Sequence, residues 1–144
     1  MTAPRGAVLY SPALLALAVE LADYPFDPHA RRIGSARSRS CGSIVDISMN
    51  GSDSISDLGL KVAACAVGQA AAAIFARSAN GKSAEDCAGA VAEIRDWLGG
   101  AGRAPDWPGF EALAAARDFP GRHEAILLPW RAAIDALSKA GHEG

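Results

Sequence analysis

Ser40-Cys41-Gly42-Ser43-Ile44-Val45-Asp46-Ile47-Ser48-Met49-Asn50-Gly51 is the stretch that decides the fold. From Ile44 to Met49 apolar and polar residues alternate and β-branched side chains are frequent, the signature of a half-buried strand. Asn50-Gly51 then supplies the turn chemistry of a hairpin. Downstream, Ile55, Leu58, Leu60 and Val62 give a noisier period of two across 55–62, which predicts the second arm. Upstream, Ile33 to Arg39 alternates small and basic residues and reads as an exposed edge strand. The centre of the chain is therefore predicted to be a three-stranded antiparallel meander.

Both flanks are helical. Ser11-Pro12 is a good helix start, with Ser as N-cap and Pro at the first turn. Leu14, Leu15, Ala18, Leu21 and Ala22 share a face, and Pro25 closes the segment. After the meander, Ala63 to Ala79 is a run of small residues ending at Asn80-Gly81, where close packing of a helix on the sheet is expected. Ser83, with Asp86 three residues on, predicts a capped helix that Gly99-Gly100 ends. A short helix over Phe110–Ala116 and a last one over about Arg122–Ala140 follow. Pro129 predicts a kink in that last helix, or a start at about Leu128. The order is that of an α+β domain: a three-stranded antiparallel sheet with an N-terminal helix and several C-terminal helices packed on it.

Of the 144 residues 50% are hydrophobic, but alanine supplies 32 of them, which favours one helix-rich domain spanning 1–144. Fourteen basic residues against 16 acidic ones give no field suited to nucleic acid or an anionic membrane. The longest uncharged apolar stretch, Val62 to Ala76, is shorter than the roughly 20 residues of a membrane span. The run Ala7–Val19 behind Arg5 has the look of a signal segment, but Glu20 and Asp23 follow at once, so export is not expected. Arg31, Arg32, Arg37 and Arg39 are read as solvated edge-strand charges that discourage strand pairing, or as a dock for an acidic partner. Trp97, Trp107 and Trp130 read as core or loop anchors.

Three cysteines at wide spacing do not make a disulfide framework, and free thiols in a cytoplasm fit better. Cys41 lies in a glycine-containing turn before the second strand, and Cys65 lies where the third strand passes into a helix. An accessible turn and a helix N-terminus both suit a reactive or metal-binding sulfur. In a meander these two positions fall at the same edge of the hairpin. Paired thiolates suit zinc, iron and Fe–S clusters, while the plain alternative is two small buried hydrophobes. Cys87 reads as a buried structural residue, and His29 and His142 as surface residues. Gln69, one turn after Cys65, either bonds near the site or faces solvent.

The succession Tyr10-Ser11, Pro25, Ile33-Gly34, Cys41-Gly42, Cys65-Ala66, Gly81-Lys82-Ser83, Arg122 and Trp130 resembles the IscU/SufU/NifU-type iron–sulfur cluster assembly scaffolds. The resemblance runs from about Tyr10 to Leu137 and implies a scaffold that carries a transient Fe–S cluster or, as in the SufU branch, zinc. Two departures stand out. Ser43 occupies the place of an Asp ligand after Cys-Gly, and Ala125 the place of a third cysteine. The resemblance thus implies cofactor binding through Cys41 and Cys65, with Ser43, His123 and Glu124 as substitute metal ligands.

The function implied is that of a cytoplasmic carrier of iron, a cluster or zinc, and not of an enzyme. Its partners would be a cysteine desulfurase as donor and apo-proteins or a chaperone as recipients. The alternative is a degenerate scaffold kept as a non-metal interaction or regulatory module for a desulfurase. A third reading is a thiol redox protein with a Cys41–Cys65 disulfide. No phosphate-binding loop, nucleophile elbow or HExxH arrangement is present.

Overall fold

The computed structural model describes residues 10–139. Arg5, Ala7–Leu9, His142 and the predicted end of the last helix at Ala140 lie outside the described residues. Helix α1 (Pro12–Val19) starts as expected, with Leu14 N–H donating to the Ser11 hydroxyl at 3.2 Å, and tightens into a 3-10 turn over Glu20–Asp23. Leu14 and Leu17 are buried, while Leu15 and Val19 stay on its outer face.

The meander forms from β1 (Arg32–Arg37), β2 (Ile44–Met49) and β3 (Gly59–Ala63), antiparallel in the order β1-β2-β3. Gly34, Ile47 and Leu60 share one row, and Ala36, Val45 and Val62 the next. Val45, Ile47 and Met49 are fully buried, so this row set faces the helices. The third strand is four residues shorter at its start than the predicted 55–62. Asp57 adopts a left-handed conformation that ends any extended run before it. Ile55 is instead a buried plug: its N–H donates to Lys82 C=O, and its C=O accepts from Gly81 N–H.

Helix α2 (Ala66–Ser78) is the alanine-rich segment, and Ala70 to Phe75 are all fully buried. It packs chiefly against α1 and α4, not against the sheet. The close approach to the sheet is made elsewhere, by α4 (His123–Ser138) over β1. A Cβ built on Gly34 would lie 2.3 Å from Ala132 C=O, so only glycine fits beneath that helix. Helix α4 also covers the β1 edge of the sheet, while Arg31, Arg37 and Arg39 stay exposed as expected. Asp135 accepts from Ser35 N–H at 2.9 Å, and the Lys139 ammonium donates to Ile33 C=O at 3.1 Å. Arg32 turns to cap α4 through Leu137 C=O at 3.0 Å.

Helix α3 (Ala84–Leu98) carries the predicted capping box, with Asp86 N–H donating to the Ser83 hydroxyl and Ser83 N–H to the Asp86 carboxylate. The predicted short helix forms over Phe110–Asp118, two residues longer than expected and wound as a 3-10 helix. Helix α4 starts at His123 and not at Leu128, running through Pro129. Phe75, Trp107, Phe110 and Trp130 form an aromatic cluster with centroids 5.4–5.6 Å apart, and the Trp107 indole donates to Ile74 C=O. All three tryptophans are buried, as core anchors should be.

Candidate metal centre

Between β1 and β2 the chain reverses over Ser38–Ser43, closed by Ser38 N–H donating to Ser43 C=O at 2.8 Å. Gly42 sits at φ 72°, a left-handed conformation glycine adopts without strain, and this leaves Cys41 exposed at the tip. Two buried hydroxyls lie beneath the sulfur: Ser38 Oγ at 3.2 Å and Ser43 Oγ at 3.0 Å. Hydrogen bonding by Ser38 and then Ser43 pushes the Cys41 thiol below its ordinary pKa, which raises its thiolate fraction at neutral pH.

Cys65 is the N-cap residue of α2, in extended conformation and half-buried. Its side chain makes no capping bond, so the sulfur is not committed to the helix end. Gln69 resolves in favour of the site's framework: its amide donates to Ala64 C=O at 2.9 Å, fixing the residue before Cys65. The last β2–β3 pair is Ile44 with Ala63, so the turn holding Cys41 and the segment leading to Cys65 leave the sheet at the same end.

The first turn of α4 lies against both. Glu124 Oε1 accepts from Ser38 Oγ and Arg39 N–H at 2.8 Å each, and from Ser40 N–H and Oγ at 3.2 and 3.3 Å. These bonds, that of Ser38 foremost, hold the Glu124 carboxyl below the usual carboxylate range. Ala125, fully buried, faces Gly68, one turn after Cys65: a Cβ built on Gly68 would lie 3.5 Å from that of Ala125. His123 Nε2 lies 3.0 Å from Arg117 C=O. Among the described residues no group of three or more His, Cys, Asp or Glu side chains is poised to hold a metal ion. Cys87 is buried in α3, and burial pushes its thiol up to about 12, consistent with a structural role.

Ser38 and Ser40 were not singled out from the sequence. The signal was present in the dense run Ser38-Arg39-Ser40-Cys41-Gly42-Ser43, where three hydroxyls surround one thiol. The Arg39 main chain, read as the end of a strand, belongs to the turn instead.

No known protein family's profile matches the chain, and no curated protein sequence does. Solved structures do. A nitrogen-fixing NifU-like protein (N-terminal part) from Brucella abortus is 25% identical, with 94% of this chain and 96% of that one covered at a TM-score of 0.82. A SufU protein from Fervidobacterium islandicum, assigned as an iron–sulfur cluster assembly scaffold for the SUF system, is 20% identical. It covers 90% of this chain and 97% of that one, at a TM-score of 0.76. No helix among the described residues is long and apolar enough to cross a membrane. The α+β architecture built around the Cys41 turn is the IscU/NifU/SufU-type scaffold fold.

Proposed function

We propose that the chain is a carrier in iron–sulfur cluster assembly, holding iron, an Fe–S cluster or zinc as cargo through Cys41 and Cys65. The observation that carries this reading is the exposed, hydroxyl-flanked Cys41 thiol at the sheet end from which the chain runs on to Cys65, within a fold shared with cluster-assembly scaffolds. The donor chemistry fits cargo better than a resident metal. A structural zinc site is closed by four ligands, whereas two thiolates leave positions open for exchange. Ser43 contributes by hydrogen bonding to Cys41 at 3.0 Å, and the His123 ring, with Nε2 facing Arg117 C=O, retains Nδ1 as a donor. On this reading the protein completes no catalytic cycle. It works in the cytoplasm between a cysteine desulfurase and apo-protein recipients or a chaperone.

Anaerobic reconstitution with iron and sulfide, followed by visible absorption, tests the proposal alongside metal analysis of the purified chain. Cluster or zinc should be bound by the parent and lost in the Cys41→Ser/Cys65→Ser double variant. Neither cluster nor zinc in the parent would sink the cargo reading. A second reading, an interaction module without cargo, draws on Ala125 being fully buried where the resemblance places a third thiol. Capture of a desulfurase by the double variant as well as by the parent, with no metal in either, would favour it.

A further inference from the structure

Glu124 lies 84 to 86 residues from the three positions it contacts, Ser38, Arg39 and Ser40, which are the three that lead into Cys41. One oxygen, Oε1, takes all four hydrogen bonds, two of them at 2.8 Å. A carboxylate oxygen has two lone-pair directions, so Oε1 is saturated by the turn. The other oxygen, Oε2, lies 3.8 Å from the Arg131 guanidinium, a positive charge that disfavours a metal cation at the same place. The Ser38 hydroxyl joins the two halves: it donates to Glu124, accepts from Cys41 N–H at 3.3 Å, and lies 3.2 Å from the Cys41 sulfur. The other bonds that hold the turn lie within it: Ser38 N–H to Ser43 C=O at 2.8 Å, Cys41 N–H to the Ser38 hydroxyl, and the Cys41–Ser43 side-chain contact, so Glu124 is what ties it to a remote element.

We propose that Glu124 is a positioning residue that clasps the Cys41 turn to the first turn of α4, acting on the cargo through Cys41 and not as a ligand. The role in cargo binding rests on the carrier reading above; the clasp itself rests on geometry alone. Its location is also favourable to α4, since a carboxylate in the first turn meets the positive end of the helix dipole. The clasp thereby couples two elements remote in sequence: loosening α4 at its N-terminus loosens the presentation of Cys41. A ligand role through Oε1 would demand the opposite, because that oxygen would have to release the turn to meet a metal, and Oε2 faces the Arg131 guanidinium.

Amide hydrogen exchange, followed residue by residue by NMR, separates the two, using the metal-free chain and the chain with added zinc. In the metal-free parent the Arg39 and Ser40 amides should be protected. Glu124→Ala should speed their exchange by about tenfold or more, since bonds to charged acceptors are the stronger class. Exchange in the β2–β3 ladder should not change, which reports that the fold is intact. Glu124→Gln keeps a carbonyl acceptor of the same reach and should fall between parent and Glu124→Ala. Added zinc should leave the Arg39 and Ser40 amides as protected as before, or more so. Unchanged exchange in Glu124→Ala, or zinc raising exchange in the parent to the level of that variant, overturns the proposal. If the parent takes up no zinc, zinc is removed as a cargo and the carrier reading stands or falls on the cluster reconstitution above, while the metal-free exchange rates still decide the clasp.

Discussion

Adding one methyl group at Gly34 is expected to destabilise the fold by about 3 kcal/mol. A Cβ at this position lies 2.3 Å from Ala132 C=O, 2.4 Å from Ala136 N and 2.7 Å from Ala136 Cβ. The two nearest atoms belong to the main chain of α4 and cannot swing aside as a side chain would. To reach 3.0 Å from 2.3 Å, helix and strand must separate by about 0.7 Å. A gap of that size forfeits roughly a quarter to a half of each dispersion contact along the seam. It also stretches the Asp135–Ser35 and Lys139–Ile33 bonds that close the sheet edge. Overpacking typically costs about 1–3 kcal/mol, and a rigid main-chain obstacle places Gly34→Ala at the upper end. For a domain of this size that corresponds to a fall of roughly 10 °C in Tm. Gly89→Ala is the control: this glycine lies mid-helix in α3 with nothing within 4 Å of the added Cβ. It should stabilise by about 0.5–1 kcal/mol through helix propensity and chain entropy. Urea unfolding with an unchanged m-value measures both. Gly34→Ala within about 0.5 kcal/mol of the parent, a surface-substitution value, would refute the close approach of α4 to β1.

Four further outcomes are expected. Ser83→Ala should cost about 1 kcal/mol by removing the cap of α3, read as a lower urea midpoint. The Asp86 carboxyl is held below its ordinary pKa by bonds from the Ser83 main chain and hydroxyl, so its contribution is present above the unfolded value and lost as pH falls through the folded one. Asp86→Asn should accordingly flatten part of the acid limb of a Tm-versus-pH curve, and an unchanged limb would contradict the capping box. Alkylation followed by peptide mapping should label exposed Cys41 first, half-buried Cys65 more slowly, and Cys87 only on unfolding, since its thiol is buried and pushed up to about 12. Ala125→Cys should raise zinc affinity at least tenfold by adding a third thiolate beside the first turn of α2; unchanged affinity in a calorimetric titration would place residue 125 outside the site.

What the sequence made legible follows from the range over which each signal acts. The β2 strand could be read because alternation and Asn50-Gly51 are both local, and the start of α1 because Ser11-Pro12 sits beside the helix it begins. Ile55 was misread because an apolar residue at period two looks the same whether it faces a sheet partner or plugs the α2–α3 connection. The alternative start at Leu128 failed because the cost of Pro129 is local while its compensation is not. The turns of α4 before it are held from outside, by Glu124 on the Cys41 turn and Ala125 against Gly68. The alanines of α2 correctly predicted close packing but not its partner, since small residues mark a near neighbour without naming it.

The site divides along the same line. The places of Cys41 in a glycine turn and of Cys65 at a helix start were legible because both are short-range features. The clasp was not, because nothing in a one-dimensional pattern joins Glu124 to residues 38–40 more than eighty positions away. Glu124 could be noticed only as a substitute for a missing ligand, and the proposed clasp gives it different work. Ala125 then looks less like a lost donor than like one half of a packing pair with Gly68, which lets the first turns of α4 and α2 touch. With that contact and the clasp both in place, α4 orders the segments carrying the two thiols without supplying a sulfur of its own. On the proposed carrier reading, cargo would be held by fewer bonds, and keeping Cys41 in position would fall to hydrogen bonds within the turn and from Glu124.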